Sequence, residues 1–350
     1  MNKIRKEDVE QIVAAMPYEE CEGKVFLITG ATGFLGSYMV DTLMMLKKNK
    51  KIIKCVIHLL CRNKEKAEKK FSEWISDEDF NLITQSVEDK IHIKGNIDFI
   101  IHAASCSQTR IFSDRPVDLL SANVIGTYNL LQLAKEKNTK SFLFFSSGSV
   151  YGESSDNILF EERTYNINYL NMRNSYASGK RMGEMLCKAF WKQYAVPTKC
   201  VRISHTYGPG IDIDDGHVYS DFAKSIFNNS NLIIKGDGTD SRPFCYVTDA
   251  IRAFWILLFD GVDGEVYNMA NTKETLSIRE LADILAYHVF ADRNLEVIQN
   301  RNLVKDKEKR FVNIDKLRKL GWNPAVSIEE GFKRLIASLE EDNEMEKQGT

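Results

Sequence analysis

The sequence has no Cys-x-x-Cys pair, no marked net charge and no apolar run long enough to cross a bilayer. Seven cysteines, an odd number without zinc-type spacing, argue against a disulfide framework and against a metal site, and favour a reducing compartment. Lys and Arg number 47 against 49 Asp and Glu, a net charge of -2, so bulk charge supplies no pull toward nucleic acid or a membrane surface. The stretch YMVDTLMML is broken by Asp41 and falls short of the roughly 18 residues a spanning helix needs, so it reads as a core helix. No repeat or low-complexity tract interrupts the chain. The opening MNKIRKEDVE is charged where a signal peptide would be apolar, and Ile4, Val9, Ile12 and Val13 recur at helical spacing. Residues 1–20 are therefore expected to form an added amphipathic helix, and the expected address is the cytoplasm.

What is present is a long alternation of apolar strands and amphipathic helices. KVFLITG (24–30), KCVIHLLC (54–61), DFIIHAA (98–104) and SFLFFSS (141–147) read as buried strands. Helical patterns lie between and after them, to about Lys48, from Lys64 to about Ile75, from Asn123 to Lys137, and from Ser175 to Gln193. Strands of this kind alternating with helices predict an α/β fold, a doubly wound parallel sheet of the Rossmann type with ligands at the carboxyl ends of its strands. This domain is assigned mainly to residues 21–205. Beyond Pro209, Gly- and Asp-rich loops (GPGIDIDDGHVYSDF, KGDGTDSRPF) mark a smaller, mostly C-terminal α/β region for substrate over 206–340, with the chain crossing back between the two. A flexible tail is expected over 341–350.

TGATGFLG, residues 29–36, sets Gly30, Gly33 and Gly36 between a strand and a helix, with Thr32, Phe34 and Leu35 among them. A bare glycine-rich turn is common. In a strand–turn–helix context the glycines admit a diphosphate close to the backbone, and the helix start offers free amides and a positive dipole end. The second strand runs into Cys61-Arg62-Asn63-Lys64, without the acid that a unit choosing NAD places there. Arg62 could stack on adenine or receive a 2′-phosphate, which leaves NADP open beside NAD; a solvated loop arginine is the plain alternative. In SYASGK, Tyr176 and Lys180 stand four apart and share one helix face. Such pairs are frequent by chance. Their weight here comes from following Ser147 at a strand end in a chain that already carries a dinucleotide turn.

TGATGFLG, IIHAAS, NVIGTYNLL, SSGSVYG, YASGKR, VRISHTYGPG and SRPFCYVTDA together resemble the extended short-chain dehydrogenase/reductase family of nucleotide-sugar epimerases, dehydratases and decarboxylases. The resemblance runs from about Lys24 to Leu339. DDGHVYSDF and RNSYASGKRMGEMLC look most like UDP-glucuronate decarboxylases and related uronate epimerases, while the N-terminal helix, His205 and Arg62 depart from that branch. The resemblance implies a bound nicotinamide dinucleotide, with Tyr176 as base, Lys180 beside it and Ser147 on the reacting oxygen. It places Ala103, Ala104 and Ser105 along the cofactor diphosphate and Arg62, Ser86 and Val87 toward the adenine side, and counts Asn63, Ser146 and Ile203 among the cofactor-binding residues. It assigns Ser107, Ser147, Arg173, His205 and Arg242 to a nucleotide-sugar substrate, gives Asn123 a bracing role, and implies a homodimer through helices 123–137 and 175–193.

The resemblance also makes Ser149 diagnostic. Family dehydratases carry an acidic pair after the catalytic hydroxyl, and sugar-acid decarboxylases a glutamate two residues after it. Here those positions are Gly148 and Ser149, neither of which serves as acid or base at ordinary pH. The expectation is a nucleotide-sugar 4-epimerase. Decarboxylation or NADPH-linked keto-sugar reduction follow as alternatives; 4,6-dehydration and a silent dinucleotide sensor come last.

Overall fold

The apolar runs become strands whose two faces are both covered. A computed structural model describes residues 1–105, 114–154, 156–299 and 309–348. Seven strands, β1 (Lys24–Thr29), β2 (Cys55–Cys61), β3 (Phe80–Thr84), β4 (Phe99–His102), β5 (Ser141–Ser147), β6 (Thr198–Ile203) and β7 (Glu265–Met269), form one sheet. All its pairings are parallel, in the order β7-β6-β5-β4-β1-β2-β3. Alternate residues of β1 point to opposite faces. Phe26 and Ile28 enter one core with the helices α1 (Lys3–Ala15), α2 (Phe34–Lys48) and, farther along the chain, Val247–Asp260. Leu27 enters the other core with Phe142, Phe144, Leu130 and Phe190. Strand order reverses between β1 and β4, which opens a crevice at the carboxyl ends of those strands.

Two further helices cover the second face. α3 (Lys64–Lys70) is a short connector on the way. α4 enters as Pro116–Ser121, loosens into a π turn at Ala122–Gly126 and continues as Thr127–Lys137. Within that turn Asn123 Nδ2 donates to the Leu119 carbonyl, and Thr127 Oγ1 donates to the Asn123 carbonyl at 2.6 Å. Such turns concentrate where a helix must reshape itself around a functional site. α5 (Ser175–Tyr194) packs beside α4, with the Gly179 position facing the Asn123 side chain at close range.

The chain returns to the sheet from its C-terminal half. β7 pairs with β6, and the helices α6 (Val218–Phe227) and α7 (Val247–Asp260) precede it. The last helix, α8 (Ile328–Gln348), runs into the segment expected as a flexible tail. Its end has partners that a sequence window does not reveal: Asn2 Nδ2 donates to Ser338 Oγ at 2.7 Å and to Asp342 Oδ1 at 2.9 Å. Among the described residues, no helix is long and apolar enough to cross a membrane.

Candidate active site

The glycines of the first turn are there for lack of room. Gly30 has φ +66, and a Cβ on it would lie 2.5 Å from the Ala103 carbonyl carbon and 2.6 Å from the Ala104 nitrogen. A Cβ on Gly36 would lie 2.5 Å from the Gly30 oxygen. The turn closes through Gly33 N–H to the Gly30 carbonyl at 2.9 Å, and Gly33 brings no side-chain oxygen to the first amides of α2, where Phe34 and Leu35 begin the helix. Thr32 lies in the same turn. Across the crevice Ala103 and Ala104 donate to Thr29, and the Ser105 hydroxyl is buried with no partner among the described residues. A close-approach turn, open amides and an orphaned hydroxyl fit a dinucleotide diphosphate. Ser107 lies outside the described residues.

On the adenine side the assigned residues do different jobs. Asn63 caps α3, accepting from Lys66 N at 2.8 Å. Arg62 is exposed beside it. Val87 is buried against Gly126 of the π turn, and Asn129 Nδ2 donates to the Val87 carbonyl at 3.1 Å, so this segment is tied to α4. Ser86 precedes it, half-buried.

Ser147 ends β5, and its Oγ accepts from both the amide (3.2 Å) and the hydroxyl (3.1 Å) of Ser149. Ile203, at the end of the neighbouring β6, pairs with Ser147. Tyr176 and Lys180 lie one turn apart on α5, with the ammonium 5.7 Å from the centre of the Tyr176 ring. Lys180 is 3% exposed and donates to the Phe145 carbonyl at 2.6 Å. Burial pushes its pKa down to about 7, against the opposing pull of Glu184 one turn farther on. Glu184 is itself held by Arg202, at 2.8 and 3.0 Å, and by the Ser146 hydroxyl at 2.6 Å. The Ser146 side chain is thus committed beneath the site.

The buried lysine yields a prediction about stability. Below about pH 7 its ammonium is charged in the folded and the unfolded chain alike, and the full burial penalty falls on the folded state. The penalty fades as pH rises from about 7 toward the ordinary lysine range. Lys180→Met is therefore expected to melt higher than the parent, by most at pH 6 to 7 and by least in alkali, while losing activity. Thermal melts across pH decide it; a variant that melts lower at every pH would contradict the assignment.

Two residues beyond Ile203, His205 packs among Phe244, His217 and Tyr219, with ring centres 5.9, 6.4 and 6.5 Å away. Burial, then the nearby Arg242 and His217, hold its imidazole well below the usual histidine range, so it is neutral. Arg242 lies on a short strand (Ser241–Pro243) and donates to Asp240 Oδ2 at 3.2 Å. Tyr219, its phenol pushed up by burial with Asp215 and Tyr176 contributing, lies within electrostatic reach of the Tyr176 phenol. Arg173 is exposed in the turn that leads into α5.

Three contributors escaped the sequence reading. His102 bridges Thr29 (2.8 Å) and Thr127 (3.1 Å), and burial pushes it down to about 3, so a neutral ring ties the cofactor strand to α4. The Glu184–Arg202 pair and the His217–Tyr219 stack (5.2 Å, 13°) were also unassigned. Glu184 had a signal, its four-residue spacing from Lys180. His102 and Arg202 meet partners far apart in the chain, whereas His217 and Tyr219 stand two positions apart at the start of α6.

A glycine turn opening a helix at a sheet's switch point, with a tyrosine–lysine helix beside a strand-end serine, defines a Rossmann-type dinucleotide enzyme. More specifically, the chain belongs to the NAD-dependent epimerase/dehydratase family, whose model matches residues 26–270, and NAD is the cofactor of that family. It is 32% identical over 317 residues to UDP-glucuronic acid decarboxylase 6 of Arabidopsis thaliana, covering 90% of this chain and 88% of that protein. Among solved structures it is similar to UDP-glucose 4-epimerase of Thermotoga maritima with UDP-glucose (TM-score 0.75, 25% identity, 91% of this chain and 99% of that one). It also shares the fold of UDP-glucuronic acid 4-epimerase from Bacillus cereus in complex with UDP-glucuronic acid and NAD (TM-score 0.72, 23% identity, covering 90% and 99%).

Proposed function

We propose that the chain oxidises a nucleotide-linked uronic acid at carbon 4 and releases carbon dioxide from the resulting keto acid, as a UDP-glucuronate decarboxylase. The observation that carries the oxidation step is Lys180, buried one turn from Tyr176 and bonded to the Phe145 carbonyl. Its ammonium favours the phenolate of Tyr176, which takes the proton of the sugar 4-hydroxyl, while the Ser147 hydroxyl holds the reacting oxygen. NAD would be held by the Gly30–Gly36 turn with Ala103, Ala104 and Ser105, and when bound it would supply the acceptor for the carbon-4 hydride. A 4-keto uronate carries its carboxylate β to the ketone. The C5–C6 bond breaks, carbon dioxide leaves, the electron pair passes into the ketone as an enolate, and carbon 5 then takes up a proton.

The sequence reading ranks 4-epimerisation above decarboxylation; the named relatives support the decarboxylase better. One observation favours the epimerase as a second reading. Both donors of Ser149 turn back to Ser147, and position 149 carries no carboxyl to manage a proton at carbon 5. Incubation with UDP-glucuronate, followed by mass spectrometry and proton NMR, separates the two. Decarboxylation lowers the product mass by one carbon dioxide; epimerisation leaves it unchanged. Ser149→Glu is expected to raise carbon dioxide release, and an unchanged product mass with the parent enzyme would overturn the first reading.

The same reading extends to assembly as a homodimer. α4 and α5 leave Ile125, Tyr128, Met182 and Met185 exposed, apolar side chains that a second copy of these helices could cover. Sedimentation at micromolar concentration is expected to give the dimer mass, and Met185→Glu to shift it toward the monomer. A monomeric parent protein would contradict the dimer.

A further inference from the structure

α1 is joined to the rest of the molecule by two separate buried ion pairs, and only one of them reaches the substrate side. The first centres on Asp8, fully buried. It accepts from Tyr246 at 2.8 Å, Tyr38 at 3.3 Å and Arg334 Nε at 2.9 Å, which fixes α1 against α2, the start of α7, and α8. The second centres on Arg5. Its Nε and Nη2 converge on Asp41 Oδ2 at 3.0 and 2.7 Å, its Nη2 also donates to Ser37 Oγ at 2.8 Å, and its plane lies 3.9 Å from the centre of the Tyr38 ring. Ser37 in turn donates to the Phe34 carbonyl at 2.8 Å, in the turn of α2 that Gly33 opens.

The remaining arm of Arg5 leaves α2. Nη1 lies 3.4 Å from the Pro209 carbonyl, and a Cβ on Gly210 (φ +90) would sit 2.6 Å from that nitrogen. The chain therefore passes directly over the guanidinium, and Gly210 is the residue that permits it. From there it runs through Asp212–Asp215 to His217 and Tyr219, the rings that flank His205.

We propose that Arg5 is a positioning residue for the substrate side of the site: it pins the Pro209–Gly210 turn to the first turns of the cofactor helix and so sets where His217 and Tyr219 stand beside His205. The inference rests on reading the His205–Tyr219 cluster as the nucleotide-sugar side. A buried ion pair is weak evidence for stability, because well-packed apolar replacements are often as stable. What a planar fork of donors adds is geometry, since it can address three acceptors on two elements at once, whereas an ammonium acts as a point charge. Asp8 and the cap residue Asn2 anchor α1 independently of Arg5, so changing Arg5 is expected to leave the helix in place.

The test uses the full chain with two variants. Arg5→Met with Asp41→Asn removes both charges together and leaves Trp74, which donates to Asp41 Oδ1, an acceptor. Arg5→Lys keeps the charge for Asp41 and shortens the reach, and it stands alone should the double variant fail to fold. Amide hydrogen exchange is read over 208–219 and over 3–15, with calorimetry for UDP-glucuronate and NAD. In each variant exchange over 208–219 is expected to rise about tenfold while α1 stays as protected as in the parent. UDP-glucuronate binding is expected to weaken about tenfold, with NAD affinity within about twofold. Unchanged exchange over 208–219, or equal loosening of α1, would overturn the proposal. Should the parent protein not bind UDP-glucuronate, that result counts against the substrate reading, and the exchange data still decide the role of Arg5.

Discussion

Tyr176→Phe is expected to lower kcat by about a thousandfold, within the range that a positioned general base contributes, while NAD affinity stays within about twofold. The change removes one oxygen and keeps the ring, so the packing of α5 over Phe144 and the burial of Lys180 are retained. What goes is the phenolic oxygen that, on the proposed reading, takes the proton of the sugar hydroxyl. An unperturbed tyrosine titrates near ~10, so the parent depends on a nearby cation to work at neutral pH. On the proposed reading Lys180, 5.7 Å from the ring centre, is that cation. Single-turnover measurements of nicotinamide absorbance, with and without sugar nucleotide, separate the chemical step from binding. Turnover at the parental rate would mean that the proton leaves to another group, and the assignment of the base would fail.

Gly30→Ala is expected to abolish NAD binding and to cost about 2–4 kcal/mol of stability, more than most single substitutions. Two physical terms combine. A non-glycine residue in the left-handed region costs roughly 1–2 kcal/mol. The added methyl also meets the Ala103 carbonyl carbon and oxygen at 2.5 Å, which is backbone that no side-chain rotation can move aside. The only relief is to part β1 from β4, and that crevice is where the diphosphate would lie. Gly95→Ala isolates the first term, since Gly95 has φ +84 and no neighbour within 4 Å of the new atom. It should destabilise modestly and bind NAD normally. Equal effects of the two substitutions in thermal melts and NAD titrations would show that the close approach at Gly30 does not matter.

How much of this was legible in the chain itself depends on how local each feature is. KVFLITGATGFLG contains a strand, a turn that demands glycine and a helix start within thirteen residues, so both the fold class and the cofactor turn could be read there. Tyr176 and Lys180 are a turn apart, and helical periodicity alone puts them on one face. EEDNEMEKQGT is polar apart from Met345, so it carries no local sign of a contact such as that of Asn2 with Asp342, 340 positions away. The relative order of decarboxylation and epimerisation was likewise not decided by one residue, since Ser149 describes the acid–base equipment but not the orientation of the sugar.

The sequence by itself determined the parallel α/β sheet, the glycine turn between strand and helix, and the placing of Tyr176 and Lys180 on one helix face, because each follows from short-range sterics and periodicity. Only the tertiary structure decided that Lys180 is buried against the Phe145 carbonyl with Glu184 and Arg202 beneath it, that a neutral His102 joins β1 to α4, and that α1 grips α2, the 209–210 turn and α8 through Arg5 and Asp8. These are encounters between residues far apart in the chain. Their energies come from desolvation and from paired charges, and neither is defined until the surrounding core has closed.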